Sequence, residues 1–279
     1  MLLSSCSAPA VNYGRSTLLP MGFTGICARS LKIMPDFVML VSSCDKYAAC
    51  WPPYLHGLNK YWPDHPPVFF ITNQLESPDG HTIKTGPDKG WAANLRFALS
   101  QIDAEIVLYS QEDYWLQSDV DHAQIEEYIN LIRDDQADYI RLYPAPPPDL
   151  PSPLHDKLGV IQQGSRYRAS LQMSLWRKST LLAMLDENES PWKFEVNGSR
   201  RSDCYSDRFL CVTKRRFGIE YVFTAVVNGY WSKLAHEYAE REGITIDFAA
   251  LPRKSPMKQV QDQVRSAGYR VKKKLMGRS

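Results

Sequence analysis

The chain has 279 residues, 44% of them hydrophobic, which is enough to bury one large core or two modest ones. Its 33 basic and 31 acidic side chains nearly cancel to +2, so charge gives no ground for nucleic-acid wrapping and a small-molecule partner fits better. The six cysteines form no C-x-x-C pair, which argues against zinc and dithiol motifs and for reduced thiols in a cytoplasmic protein. No apolar run approaches the ~20 residues of a membrane-spanning helix.

Met1 to Ser30 carries only Arg15 and Arg29 as charges and lacks the basic and apolar regions of a signal peptide. Residues 1–34 are expected to be a mobile extension, or to lie upstream of a natural start at Met34. Phe37 to Ser43 is a short apolar run, as in a strand buried on both faces of a parallel sheet. After the turn Cys44-Asp45-Lys46, Trp51-Pro52-Pro53 opens a helix with Leu55, Leu58 and Tyr61-Trp62 on its buried side, ended by Pro63. Val68 to Thr72 is a second strand, followed by a long polar loop from Asn73 to Gly90 of a length often tied to function. Trp91, Leu95, Leu99 and Ile102 recur at helical spacing before a third strand at Ile106 to Tyr109.

This alternation predicts an α/β fold with a doubly wound, mostly parallel sheet flanked by helices. A helix over Asp119 to Asp134 and a strand at Asp138 to Tyr143 extend it, and Pro144 to Pro153 interrupts it. Beyond lie a strand-like Ala169 to Leu175, a helix from Lys178 to about Leu185, an irregular segment around Trp192, a strand at Tyr221 to Val227 and a helix after Trp231. The domain reading is 35–150 as the nucleotide-binding subregion and 151–250 as the acceptor side of the same domain. Residues 251–279, with Lys272-Lys273-Lys274, are a basic tail, either solvated or weakly attached to anionic lipid.

Ligands of open α/β sheets bind at the carboxyl ends of the strands, which here means the turns after Ser43, Thr72 and Ser110. Asp45 follows the first, Asn73 the second and Gln111-Glu112-Asp113 the third. Adjacent carboxylates repel each other unless a divalent cation or a shared proton relieves them, so magnesium or manganese holding a diphosphate suits Glu112 and Asp113. The plainer reading makes them the start of a solvated loop.

Three blocks resemble GT-A glycosyltransferases, in particular bacterial enzymes of surface polysaccharides. GWAANLRFALSQIDAEIVLYSQEDYWL (Gly90 to Leu116) resembles the helix, strand and acidic turn around their D-x-D or E-D-D motif. VSSCDKY (Val41 to Tyr47) with KYWPDHPPVFFITN (Lys60 to Asn73) resembles their first nucleotide-binding strand pair. SLQMSLWRKSTLLAML (Ser170 to Leu185) leading to SPWKFEVNGSR (Ser190 to Arg200) resembles the acceptor-side strand and helix before the segment that supplies the base of inverting members. Two departures stand out: Gln111 occupies the first acid position of D-x-D, and Val196 replaces the second acid after Glu195.

The resemblance implies transfer of a sugar from a nucleotide-sugar donor to a glycan or lipid-linked acceptor, with Asp113 as metal ligand, Glu112 as helper and Glu195 as catalytic base. Ser43, Asp45, Asn73, Asn94 and Glu112 are the candidate donor-binding residues, and Trp192 the candidate acceptor contact. Each has a structural alternative: a helix cap for Asp45, backbone satisfaction for Asn94, and an ion pair with Arg200 or Arg201 for Glu195. Trp91 fits the core better than a stacking platform, Arg141 fits a packed surface stem better than a phosphate contact, and His236 is left outside the site. The cofactor expected is Mn2+ or Mg2+, and the location cytoplasmic, with peripheral attachment to the inner face of the membrane as a further option. Competing readings are a catalytically silent GT-A-like binding domain and a nucleotidyltransferase.

Overall fold

The computed structural model describes residues 36–252; the expectations for residues 1–34, for the tail beyond 252, and for Cys6 and Cys27 lie outside the described residues. Strand β1 (Phe37–Ser42) is buried along its whole length, as its unbroken apolar run requires. Its alternating side chains serve two cores: Phe37, Met39 and Val41 point into one and Val38 and Leu40 into the other. Helix α1 (Trp51–Tyr61) follows a 3-10 turn over Asp45–Cys50 and opens with proline in its first turn, where a missing N–H costs nothing.

Then come β2 (Val68–Thr72), β3 (His81–Lys84), α2 (Trp91–Ser100), β4 (Ile106–Gln111), α3 (His122–Arg133) and β5 (Tyr139–Arg141). The second half adds β6 (Leu150–Pro151), β7 (Leu158–Val160), β8 (Ser174–Arg177), α4 (Lys178–Met184), α5 (Pro191–Arg201), β9 (Phe209–Val212), β10 (Val226–Val227), β11 (Tyr230–Trp231) and α6 (Lys233–Glu242). The helix starts carry their own caps: Asp121, Ser190 and Ser232 each accept an N–H of the first turn of α3, α5 and α6.

One nine-stranded sheet has the order β3-β2-β1-β4-β8-β5-β9-β7-β6. The ladders β3-β2, β2-β1, β1-β4 and β5-β9 are parallel, whereas β8 and β7 run against their neighbours, so seven strands share one direction. The expected α/β class, with a largely parallel sheet between helices, is what the chain forms. Helices α1, α3 and α6 cover one face through Tyr54, Leu58, Ile125, Ile129 and Tyr238. Helices α2, α4 and α5 cover the other through Leu95, Leu99, Leu181 and Phe194. None of the described helices is long and apolar enough to cross a membrane.

Several local expectations are corrected. The polar loop from Asn73 to Gly90 contains edge strand β3, which was hidden because only Ile83 of its four residues is buried. The strand expected over Ala169 to Leu175 is displaced to Ser174–Arg177 and runs antiparallel between β4 and β5. Tyr221 to Val227 joins the structure by an isolated bridge from Tyr221 to Leu116 and by the small β10-β11 hairpin, not as a strand of the main sheet. The irregular segment around Trp192 is helix α5.

Candidate active site

Register decides where chemistry gathers. Strands β1 and β4 pair residue for residue from Phe37–Ile106 to Ser42–Gln111, so the turn after β1 and the acidic turn after β4 emerge side by side. They open on a cleft of about 570 Å³. Ser42, Ser43, Cys44, Lys46 and Tyr47 line it from β1, Gln111 to Tyr114 from β4, and Asp88, Trp91 and Asn94 from the start of α2. Leu171 and Gln172 close it from the approach to β8, Pro191, Trp192 and Glu195 from α5, and Val226, Asn228 and Gly229 from the β10-β11 hairpin.

Asp113 is buried, and its Oδ2 accepts hydrogen bonds from Thr224 Oγ1 (2.6 Å) and the Val226 amide (3.2 Å). Its carbonyl accepts from the Ala225 amide (3.1 Å), so this residue ties the hairpin to the end of β4. Burial pushes its carboxyl up to about 6 against the opposing pull of the Thr224 and Val226 hydrogen bonds. Glu112 is pushed well above the usual carboxylate range, first by burial and then by the charge of Asp113. Gln111 donates its amide to Tyr109 Oη (3.4 Å) and adds no charge.

Among the described residues no three His, Cys, Asp or Glu side chains converge on one point. The Glu112 carboxylate and Asp113 Oδ1 stand at the cleft as hard oxygen donors. Magnesium and manganese sites of nucleotides use one or two carboxylates, completed by water and phosphate oxygens, and a dication would relieve the repulsion of this pair. The donor set therefore fits such an ion.

Glu195 projects from the second turn of α5, whose start is fixed by the Ser190 cap and by Pro191. Its Oε1 accepts from Ser170 Oγ (3.0 Å) and the Leu171 amide (3.0 Å). The alternative ion pair with Arg201 is not formed, because that guanidinium grips Glu189 through two hydrogen bonds (2.9 and 2.5 Å). One oxygen is thus anchored while Oε2 has no described partner. Trp192, three residues earlier and on the same helix face, is 72% exposed at the cleft.

Among the residues expected to bind the donor, Ser43 Oγ accepts from Trp51 Nε1 (2.8 Å) at the cleft wall. Asp45 and Asn73 lie behind the lining and clamp each other: Asp45 accepts from the amides of Asn73, Gln74 and Leu75, and the Asp45 amide donates to Asn73 Oδ1. Asp45 therefore does not cap a helix. Asn94 lines the cleft and organises the turn before α2, donating to Asp88 Oδ1 (2.8 Å) and accepting from the Lys89 amide (3.4 Å). Trp91 is half-buried: it donates to Tyr109 Oη and packs on Phe194 while also lining the cleft. Arg141 is fully buried, not a surface stem, and donates to the carbonyls of Tyr167 and Pro146. His236 stacks on Phe248 at 3.9 Å.

No family model matches this chain, and no curated protein sequence matches it. Among solved structures it is similar to residues 1–349 of TarS from S. aureus, at 14% identity and a TM-score of 0.44, over 76% of this chain and 67% of that one. It is similar to the mannosyltransferase PcManGT from Pyrobaculum calidifontis, in complex with GDP-Man and Mn2+, at 12% identity and a TM-score of 0.45, over 71% and 59% of the two chains. A third is CMP:2-keto-3-deoxy-manno-octonic acid synthetase complexed with CTP, at 10% identity and a TM-score of 0.38, over 74% and 96%. This chain spans less than two thirds of the mannosyltransferase and 41% of a longer TarS structure.

Sequence reasoning did not single out Lys46, Asp88, Gln172 or the Asn228-Gly229 turn as cleft residues. The turn had a signal: Asn-Gly between Val226-Val227 and Tyr230-Trp231 is the pattern of a two-residue hairpin loop, and both residues take positive φ, 52° and 78°. The others had none, since only the sheet brings them together.

Proposed function

We propose that this chain is a nucleotide-sugar-dependent glycosyltransferase of the inverting type, working in the cytoplasm on a glycan or lipid-linked acceptor. The observation that carries the reading is a carboxylate with one anchored oxygen, Glu195, sharing a cleft with the adjacent carboxylates of half-buried Glu112 and buried Asp113. A divalent cation held by Asp113 and Glu112 would supply charge neutralisation to the diphosphate when bound.

Glu195 takes the proton of the incoming hydroxyl at Oε2 while Ser170 and Leu171 keep the side chain from turning away. Trp192 offers an exposed aromatic face to the C–H surface of an acceptor sugar. Ser43 and Asn94 face the nucleoside end, and Asp45 with Asn73 shape that end by holding the turns after β1 and β2 together. A cytoplasmic setting agrees with the free thiols of Cys44, Cys50, Cys204 and Cys211. Peripheral contact with the membrane belongs to the same proposal, since a lipid-linked acceptor would be met there.

A second reading has its own support. Asp113 Oδ2 is engaged by the hairpin and Gln111 is uncharged, as suits a GT-A-like domain that binds a nucleotide or glycan without turnover. Incubating the full chain with a panel of nucleotide sugars, manganese and candidate acceptors separates the two. Release of nucleoside diphosphate with sugar transfer is the expected result. Nucleotide binding without release would favour the silent domain, and conversion of the nucleotide sugar to nucleoside triphosphate and sugar phosphate on addition of pyrophosphate would show a nucleotidyltransferase.

A further inference from the structure

The charge inventory of the cleft is lopsided. Among the described residues of the lining, Asp88, Glu112, Asp113 and Glu195 contribute four carboxyl groups and Lys46 the single cationic side chain. A nucleoside diphosphate carries two or more negative charges of its own. In a partly desolvated cleft such like charges repel more strongly than they do in water. Part of that repulsion falls to a cation at the acidic turn. The rest must be met by the protein on the wall where the phosphates lie.

Lys46 is exposed at the cleft and placed for this. It sits in the 3-10 turn after β1, and no ion pair engages it among the described residues. The neighbouring Asp45 is not its partner, because that carboxylate is taken up by the amides of residues 73 to 75. Asp88 is likewise engaged, by Asn94 and the Gly90 amide. The ammonium lies 5.4 Å from the centre of the Tyr47 ring, and a Cβ added to Gly229 would stand 3.7 Å from Nζ. The β1 turn and the hairpin tip thus meet at this one charge.

We propose that Lys46 is the phosphate-binding side chain of the donor site, pairing with a diphosphate oxygen beneath the Asn228-Gly229 turn. It neutralises charge on the leaving group as the sugar departs. A lysine suits the position, because a point charge on a flexible stem can follow a phosphate whose charge grows during the reaction. The inference rests on the proposed donor site.

Calorimetric titration of the full chain with uridine, cytidine and guanosine, and with their diphosphates, in the presence of manganese tests it. In the wild type the matching diphosphate should bind more tightly than its nucleoside. In Lys46→Met that advantage should shrink by about tenfold, the effect of losing one charge-assisted contact, with nucleoside affinity unchanged. Lys46→Arg should retain most of it. An undiminished diphosphate advantage in Lys46→Met would overturn the assignment and leave the donor site standing, as would equal loss for nucleoside and diphosphate, which marks a structural role. A wild-type chain that binds none of the diphosphates would overturn the assignment together with the donor site.

Discussion

Glu195 draws its value from two donors on another segment. Ser170 Oγ and the Leu171 amide fix Oε1, so the carboxylate is held at the cleft without a cation that would remove its basicity. A positioned general base contributes about a hundredfold to ten-thousandfold. Glu195→Gln keeps the shape and the acceptor oxygen, so turnover should fall by that factor while donor affinity, read by titration, stays nearly constant. Unchanged turnover would remove Glu195 from the mechanism. At this scale the sequence was legible in part. Resemblance to GT-A enzymes pointed to Asp113 and Glu195, which share the cleft, yet it did not point to their bond partners: Thr224 and Val226, over a hundred residues away, for Asp113, and Ser170 and Leu171 for Glu195.

Helices α1 and α6 illustrate how elements are locked around the site. Glu242 ends α6, and its carboxylate, 1% exposed, accepts from Lys60 Nζ (2.7 Å), Tyr61 Oη (2.9 Å) and Arg241 Nε (3.0 Å). Burial alone would push its carboxyl up, but the hydrogen bonds from Lys60, Arg241, Tyr61 and His56 prevail and hold it at about 2, below the ordinary 4.5. A folded-state pKa below the unfolded value gives stability that is complete above about pH 4.5 and is lost as pH falls toward 2. Glu242→Gln should therefore cost about 2 kcal/mol at pH 7, as for hydrogen bonds to a charged group. Denaturant midpoints of wild type and variant should converge between pH 4.5 and 2; a gap that is constant across that range would disprove the linkage. Helix α1 was legible from its proline start and apolar spacing, whereas α5 was not. Its sequence from Pro191 carries Trp, Phe, Val and Gly with only Phe194, Gly198 and Ser199 buried, so no clear apolar stripe announces it.

Across the whole molecule β1, β2, β4 and β5 could be read from local pattern, whereas edge strand β3 and the partners of β5 could not. Strands β1, β2 and β4 are apolar runs separated by helices, the arrangement that signals parallel pairing. Strand β8 pairs with β4 and β5 in an antiparallel insertion, joining Ile106 to Arg177, and β9 reaches Tyr139 from Phe209. Strands of three or four residues paired across 33 to 71 positions leave little local trace. The location of the cleft was nonetheless accessible, because strand carboxyl ends are where open α/β sheets bind ligands. A crystal structure of the Glu195→Gln chain with manganese and the nucleotide sugar that the panel selects tests the central claim most directly. The diphosphate should lie beside Glu112, Asp113 and Lys46, with the sugar between them and residue 195 and its anomeric carbon open toward Trp192. A donor bound elsewhere, or one whose sugar points away from residue 195, would contradict it.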